Sequence, residues 1–121
     1  MINYEDFQKL EIKIGKIIEA EIVPEADRLL KFKVDLGPSD ANALEGEGVL
    51  HDIRQIVSGV REYYPDPQIL IGKSVPVLAN LEPRMIKGIE SQGMILYVAG
   101  DGENFTTLEP NKSVPPGTTV R

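Results

Sequence analysis

The sequence predicts an all-β fold, a small curved barrel, and three observations carry that prediction. Apolar and charged residues alternate with period two along two long runs in the first third of the chain, the pattern of strands with one buried face. Gly15 sits inside the first run just before its phase slips, which marks a bulge in a coiled sheet. Three further short apolar runs follow, separated by Gly, Pro and Asp clusters that read as turns.

The elements follow in order. A short amphipathic start, Tyr4 to Leu10, leads into a strand over Glu11 to Val23, with the phase change at Ile17-Ile18. The breaker Pro24-Glu25-Ala26-Asp27 ends it. A second strand over Leu30 to Gly37 puts Leu30, Phe32, Val34 and Leu36 on one side and Lys31, Lys33 and Asp35 on the other. Residues 38–52 are rich in Gly, Ala and acidic side chains without a sustained period, so they read as an acidic loop insertion. Arg54 to Gly59 is a third strand returning along the second. Val60 to Tyr64 is expected as a short helix before Pro65-Asp66-Pro67, and the apolar turn Gln68 to Gly72 completes a plug for the barrel. Lys73 to Asn80 is the fourth strand, in which Pro76 needs a position whose amide has no ladder partner. Gly93 to Ala99 is the fifth. Gly100-Asp101-Gly102 permits a hairpin into Phe105 to Leu108, and Val114 to Gly117 closes the domain in extended form. Five strands, a bulged first strand and a short helix between strands three and four describe a five-stranded OB-fold Greek-key barrel with small terminal extensions.

At 121 residues the chain fits one domain, 1–121, and 41% hydrophobic residues suffice for a core without disulfide or metal staples. The absence of Cys fits a reducing cytoplasm and removes thiol nucleophiles and Cys-ligated zinc from the possible chemistries. No apolar run approaches membrane-spanning length, and Met1 to Leu10 is too polar for a signal peptide, so a cytoplasmic protein with no membrane partner is expected. The single histidine, His51, has no nucleophile-elbow sequence to work with, and no carboxylate spacing singles out a metal set or an acid–base pair. The expectation is a non-catalytic chain without cofactor or metal. A net charge of −6 repels polyanions as a whole, so binding RNA requires local segregation of charge. Lys13, Lys16, Arg28, Lys31 and Lys33 lie in the first third, ahead of the acidic block Asp40, Glu45, Glu47 and Asp52.

Four motifs then stand in order: Ala26-Asp27-Arg28-Leu29-Leu30-Lys31, Arg54 to Val60, Asn80-Leu81-Glu82-Pro83-Arg84, and Lys87-Gly88-Ile89-Glu90-Ser91-Gln92-Gly93-Met94. Together they resemble the tRNA-binding domain appended to methionyl-tRNA synthetases, which also occurs in free-standing tRNA-binding proteins, CsaA-type chaperones and synthetase-associated cofactors. The resemblance runs from Phe7 to Val120. It implies a homodimeric OB barrel that binds tRNA by shape and backbone. It places the family's RNA-contacting positions on Lys31, with Lys33 beside it, and on Arg54, Ser58, Asn80, Lys87, Ser91, Gln92 and Met94. Cations supply sequence-independent phosphate attraction, and Ser, Asn and Gln offer partners to phosphates and 2′-hydroxyls. Met94 would add soft apolar contact to a base or ribose. No aromatic residue lies within the motifs, which favours backbone and shape recognition over base stacking.

Read from pattern alone, several of these residues have a plainer role. Lys31 and Lys33 fit the solvated side of an amphipathic strand, Asn80 fits a self-stabilised loop, and Ser91 to Met94 fits a turn entering a strand. With Met1 close to the domain start, a separate chain is expected, acting in trans with or alongside methionyl-tRNA synthetase. A CsaA-like peptide-binding chaperone is the alternative.

Overall fold

The computed structural model describes residues 1–39 and 50–121. Most of the acidic segment, residues 40–49, therefore lies outside the described residues. Helix α1 (Tyr4–Gln8) opens the chain, and Asn3 and Asp6 cap it reciprocally, each side chain bonding the other's backbone N–H. Strands β1 (Ile12–Ile22), β2 (Leu30–Pro38), β3 (His51–Ser58), β4 (Ser74–Leu78) and β7 (Met94–Ile95) form one antiparallel sheet in the order β3-β2-β1-β4-β7, and β10 (Thr119–Val120) also pairs with β1. Two small hairpins, β5 (Arg84–Ile86) with β6 (Ile89–Ser91) and β8 (Tyr97–Ala99) with β9 (Phe105–Thr107), complete the fold.

The alternation in β2 is realised as expected, with Leu30, Phe32, Val34 and Leu36 buried. Their partners in the core include Ile17, Ile56, Val75, Val77 and Ile95. The register of β1 against β2 shifts between Ile17 and Glu19, so Ile18 is the extra residue of a bulge at the predicted phase slip. Gly15 has a steric reason: a Cβ there would lie 2.5 Å from Val34 Cγ1 and 2.8 Å from Leu36 Cδ2. The curl of β1 thus depends on a residue with no side chain where Val34 and Leu36 of the core come close.

Several elements differ in detail from the sequence expectation, among them Val114 to Gly117, which turns at Pro116-Gly117 (Gly117 φ 92°) instead of running extended. The short helix between β3 and β4 is a 3-10 helix at Pro67–Leu70, capped by Asp66, whereas Val60 to Tyr64 forms turns closed by Tyr63 and Tyr64 N–H bonds to the Val60 carbonyl. Pro65 and Pro67 stop any helix begun at Val60 from continuing, and Pro67 suits the first position of the next one. Leu70 is fully buried and Gly72 N–H donates to Ile17 O at 2.7 Å, so this segment is the barrel plug. The fifth strand is broken into β7 and β8 at Leu96. Leu96 N–H donates to Pro76 O at 3.0 Å, but Pro76 has no N–H to return, and the ladder ends there. The hairpin Arg84–Ser91 is an addition, since its three-residue arms are too short to show a period.

The β2–β3 ladder also takes in Pro38 and His51. His51 Nδ1 lies 2.8 Å from both Asp35 carboxylate oxygens, and Gly37 N–H donates to the same carboxylate, tying the end of β2 to the start of β3.

Candidate nucleic-acid interface

The outward side of β2 carries Lys31, Lys33 and Asp35, and the register sets each against an opposite charge on β1: Lys31 faces Glu21, Lys33 faces Glu19, and Asp35 faces Lys16. Lys31 Nζ lies 3.3 Å from Glu21 Oε2. Ion pairs this exposed contribute about 1 kcal/mol or less, so a phosphate can compete for the ammonium. On the other side Lys33 faces Gln55 and Lys31 faces Val57 of β3. The face continues past β3, because Gln55 Nε2 donates to Glu90 O (2.9 Å) and Gln92 Nε2 donates to Glu90 Oε1 (3.0 Å).

The junction of β3 with the β6–β7 segment closes the barrel, and the polar motif residues build it. Gln92 N–H donates to Gln55 O at 2.7 Å, and Gln55 N–H donates back to the Gln92 side chain at 3.0 Å. Ser91, the one buried polar residue among the described residues, accepts from Val57 N–H (3.0 Å) and donates to Gly93 O (3.1 Å). Side chains here take the place of a regular ladder, satisfying amides that would otherwise be buried without partners. Arg54 points to the same junction from the inner face of β3, opposite Val34. Its Nε and Nη2 donate to Asp52 (3.1 and 3.0 Å), and Nη1 donates to the carbonyls of Ala79 and, at 3.2 Å, Gln92. Asn80 performs a similar task at the start of β1, accepting from Glu11 N–H (2.9 Å) and donating to Lys9 O (2.6 Å).

Lys87 stands apart from this framework. It occupies the tip of the β5–β6 hairpin with φ 51°, followed by Gly88 at φ 80°, the two left-handed residues of a two-residue turn. Lys87 is exposed, as are Arg84 and Met85 on the first arm. Lys87, which the sequence motif sets directly before Gly88, thus shares its hairpin with a second cation, Arg84.

Ser58 and Met94 fall elsewhere again. Both line a cavity of about 540 Å³ bounded by the end of β3, the β5–β6 hairpin and the β8–β9 hairpin. Tyr97 and Phe105 form its aromatic side. Phe105 stacks on Tyr63 with ring centroids 3.9 Å apart and meets Tyr64 and Tyr97 at 6.3 and 5.4 Å. Four aromatic residues scattered through the sequence are gathered here by topology, which no local motif signals. The Tyr97 hydroxyl donates to Ser58 Oγ at 3.1 Å. Burial pushes the Tyr97 phenol well above its ordinary pKa, outweighing the opposite pull of the Ser58 bond, so it remains a donor.

A curled antiparallel barrel with a closing plug and a lysine-bearing outer face is the architecture of an OB-type oligonucleotide-binding module. The chain belongs to the tRNA binding domain family, whose model matches residues 12–119. It is 43% identical over 120 residues to a methionine–tRNA ligase of Pyrococcus horikoshii and 48% identical over 121 residues to that of Methanoregula boonei, covering 99% and 100% of this chain. It spans only 14% and 16% of those relatives' lengths. Among solved structures, a MetRS-related protein from Pyrococcus horikoshii superposes with a TM-score of 0.82 at 28% identity, covering 100% of this chain and 98% of that one. The CsaA chaperone protein from Picrophilus torridus superposes with a TM-score of 0.75 at 25% identity, covering all of both chains.

Proposed function

We propose that this tRNA-binding domain holds its tRNA on the surface that runs from Lys31 and Lys33 across β3 to Arg84 and Lys87 of the hairpin, reading backbone and shape. The observation that carries this is the division of the motif residues. Arg54, Asn80, Ser91 and Gln92 make internal hydrogen bonds that fix the geometry of the barrel closure, while the ammonium groups of the lysines stand outside it. Phosphate attraction then comes from the lysines and Arg84, with the side-chain carbonyl of Gln55 at hand for 2′-hydroxyls. The domain performs no chemistry on the RNA. It works in the cytoplasm with or alongside methionyl-tRNA synthetase, raising the local concentration of tRNA. It does so as a homodimer, and the exposed apolar side chains Ile2, Tyr4 and Leu10 at the N-terminal end offer a surface for a second copy.

The test is a titration of fluorescent tRNA at low and at physiological salt, with a Lys31→Glu/Lys87→Glu variant beside the parent. Saturable binding that weakens with salt and collapses in the variant is expected; no binding at low salt would refute the proposal. A second reading, peptide holding, is favoured by the mainly apolar cavity and the likeness to a CsaA chaperone. Peptide capture through apolar contact would persist as salt rises.

A further inference from the structure

The cavity beside Ser58 has a chemical pattern that backbone recognition does not use. Its volume of about 540 Å³ lies within the range of small-molecule sites. Ile86, Met94 and Leu96 supply apolar walls, and Tyr97 and Phe105 supply an aromatic side. Into this apolar space the fold sets one polar pair: Ser58 Oγ accepts from the Tyr97 hydroxyl, which leaves the serine hydrogen free to donate and lone pairs on both oxygens free to accept. Arg84, exposed on β5, also lines the cavity and makes no ion pair among the described residues.

A donor and acceptor side by side among flat apolar walls complement the amide edge and faces of a nucleobase, and a cation at the same cavity complements the phosphate attached to it. An apolar peptide side chain fits the walls but would cover the hydroxyl pair without bonding it and would leave Arg84 without an anion. Resting on the tRNA-binding reading above, we propose that the cavity receives one unstacked nucleobase of the bound RNA, with Ser58 and Tyr97 bonding its edge, Met94 against its face and Arg84 on the adjoining phosphate. This gives a module otherwise suited to backbone recognition one position at which a base is read.

The chain contains three methionines, and of these Met94 lines the cavity while Met1 and Met85 do not. A 13C-methyl-methionine spectrum therefore reports the cavity with two internal controls. Adenosine, guanosine, cytidine and uridine 5′-monophosphates are titrated to millimolar concentration, with ribose 5-phosphate and a leucine-rich peptide as comparisons, and tRNA binding is measured on the same sample. At least one nucleotide is expected to move the Met94 signal saturably with Met1 unmoved and ribose 5-phosphate without effect. Ser58→Ala is expected to weaken that nucleotide about three- to tenfold, the effect of one hydrogen bond. A Met94 signal that no nucleotide moves, that ribose 5-phosphate moves equally, or that only the peptide moves overturns the pocket; tRNA binding at low salt in that case leaves the tRNA reading standing. Movement by nucleotides without any tRNA binding overturns the tRNA reading and, with it, the RNA source of the base.

Discussion

Arg54 and Lys87 carry the same charge, but the fold surrounds them differently. The guanidinium of Arg54 is held by Asp52 and by the carbonyls of Ala79 and Gln92, at the junction where the barrel closes. The ammonium of Lys87 stands exposed at the tip of a hairpin. A charge already matched by carbonyls and a carboxylate has little left for a phosphate, whereas a solvated one can replace condensed counterions. The difference separates residues that shape a binding surface from residues that attract the ligand to it, even within a single sequence motif: Ser91 is buried and bonded, and Lys87, four positions earlier, is free to solvent.

The largest effect that would sharpen this contrast is expected from Arg54→Met. It leaves Asp52 and two carbonyls without their donor, and should lower stability by about 2–3 kcal/mol in urea unfolding. Ser91→Ala comes next, because it strands the buried Val57 N–H, at a cost of about 1–3 kcal/mol in the same assay. Lys33→Gln and Lys87→Gln should each leave stability within about 0.5 kcal/mol of the parent and instead make the salt dependence of tRNA binding shallower by about one counterion. If the lysine variants unfold more easily than the Arg54 variant, the contrast fails. The smallest effect is expected from Glu21→Gln, which releases Lys31 from its ion pair and should strengthen tRNA binding about twofold at low salt, measured by fluorescence anisotropy.

Much of the barrel is legible in the sequence because a half-buried strand writes its period into the chain. The alternation of Leu30 to Leu36, the slip after Gly15 and the demand of Pro76 for a position that needs no N–H each have one simple structural solution, and the fold adopts it. Short elements are less legible. Three-residue arms around Lys87-Gly88 carry no period, and Val60 to Tyr64 has helical spacing but is cut off by the prolines that follow it. At the site, the motif Ser91-Gln92-Gly93-Met94 marks an important place without saying which way each side chain turns. A hydroxyl or amide suited to a phosphate is equally suited to a backbone amide, and only the approach of β3 decides that Ser91 and Gln92 serve the barrel. The aromatic group of Tyr63, Tyr64, Tyr97 and Phe105 is legible only after folding, since its members come from three separate segments.

The most direct test of the central claim is the slope of log Kobs for tRNA against log salt, compared among the parent, Lys33→Gln, Lys87→Gln and Ser91→Ala. The account predicts slopes reduced by about one in each lysine variant and a weaker affinity with an unchanged slope in Ser91→Ala. Lysine variants with the parental slope, or a Ser91→Ala variant that alone loses it, would contradict the assignment of the lysines to the ligand and of Ser91 to the framework.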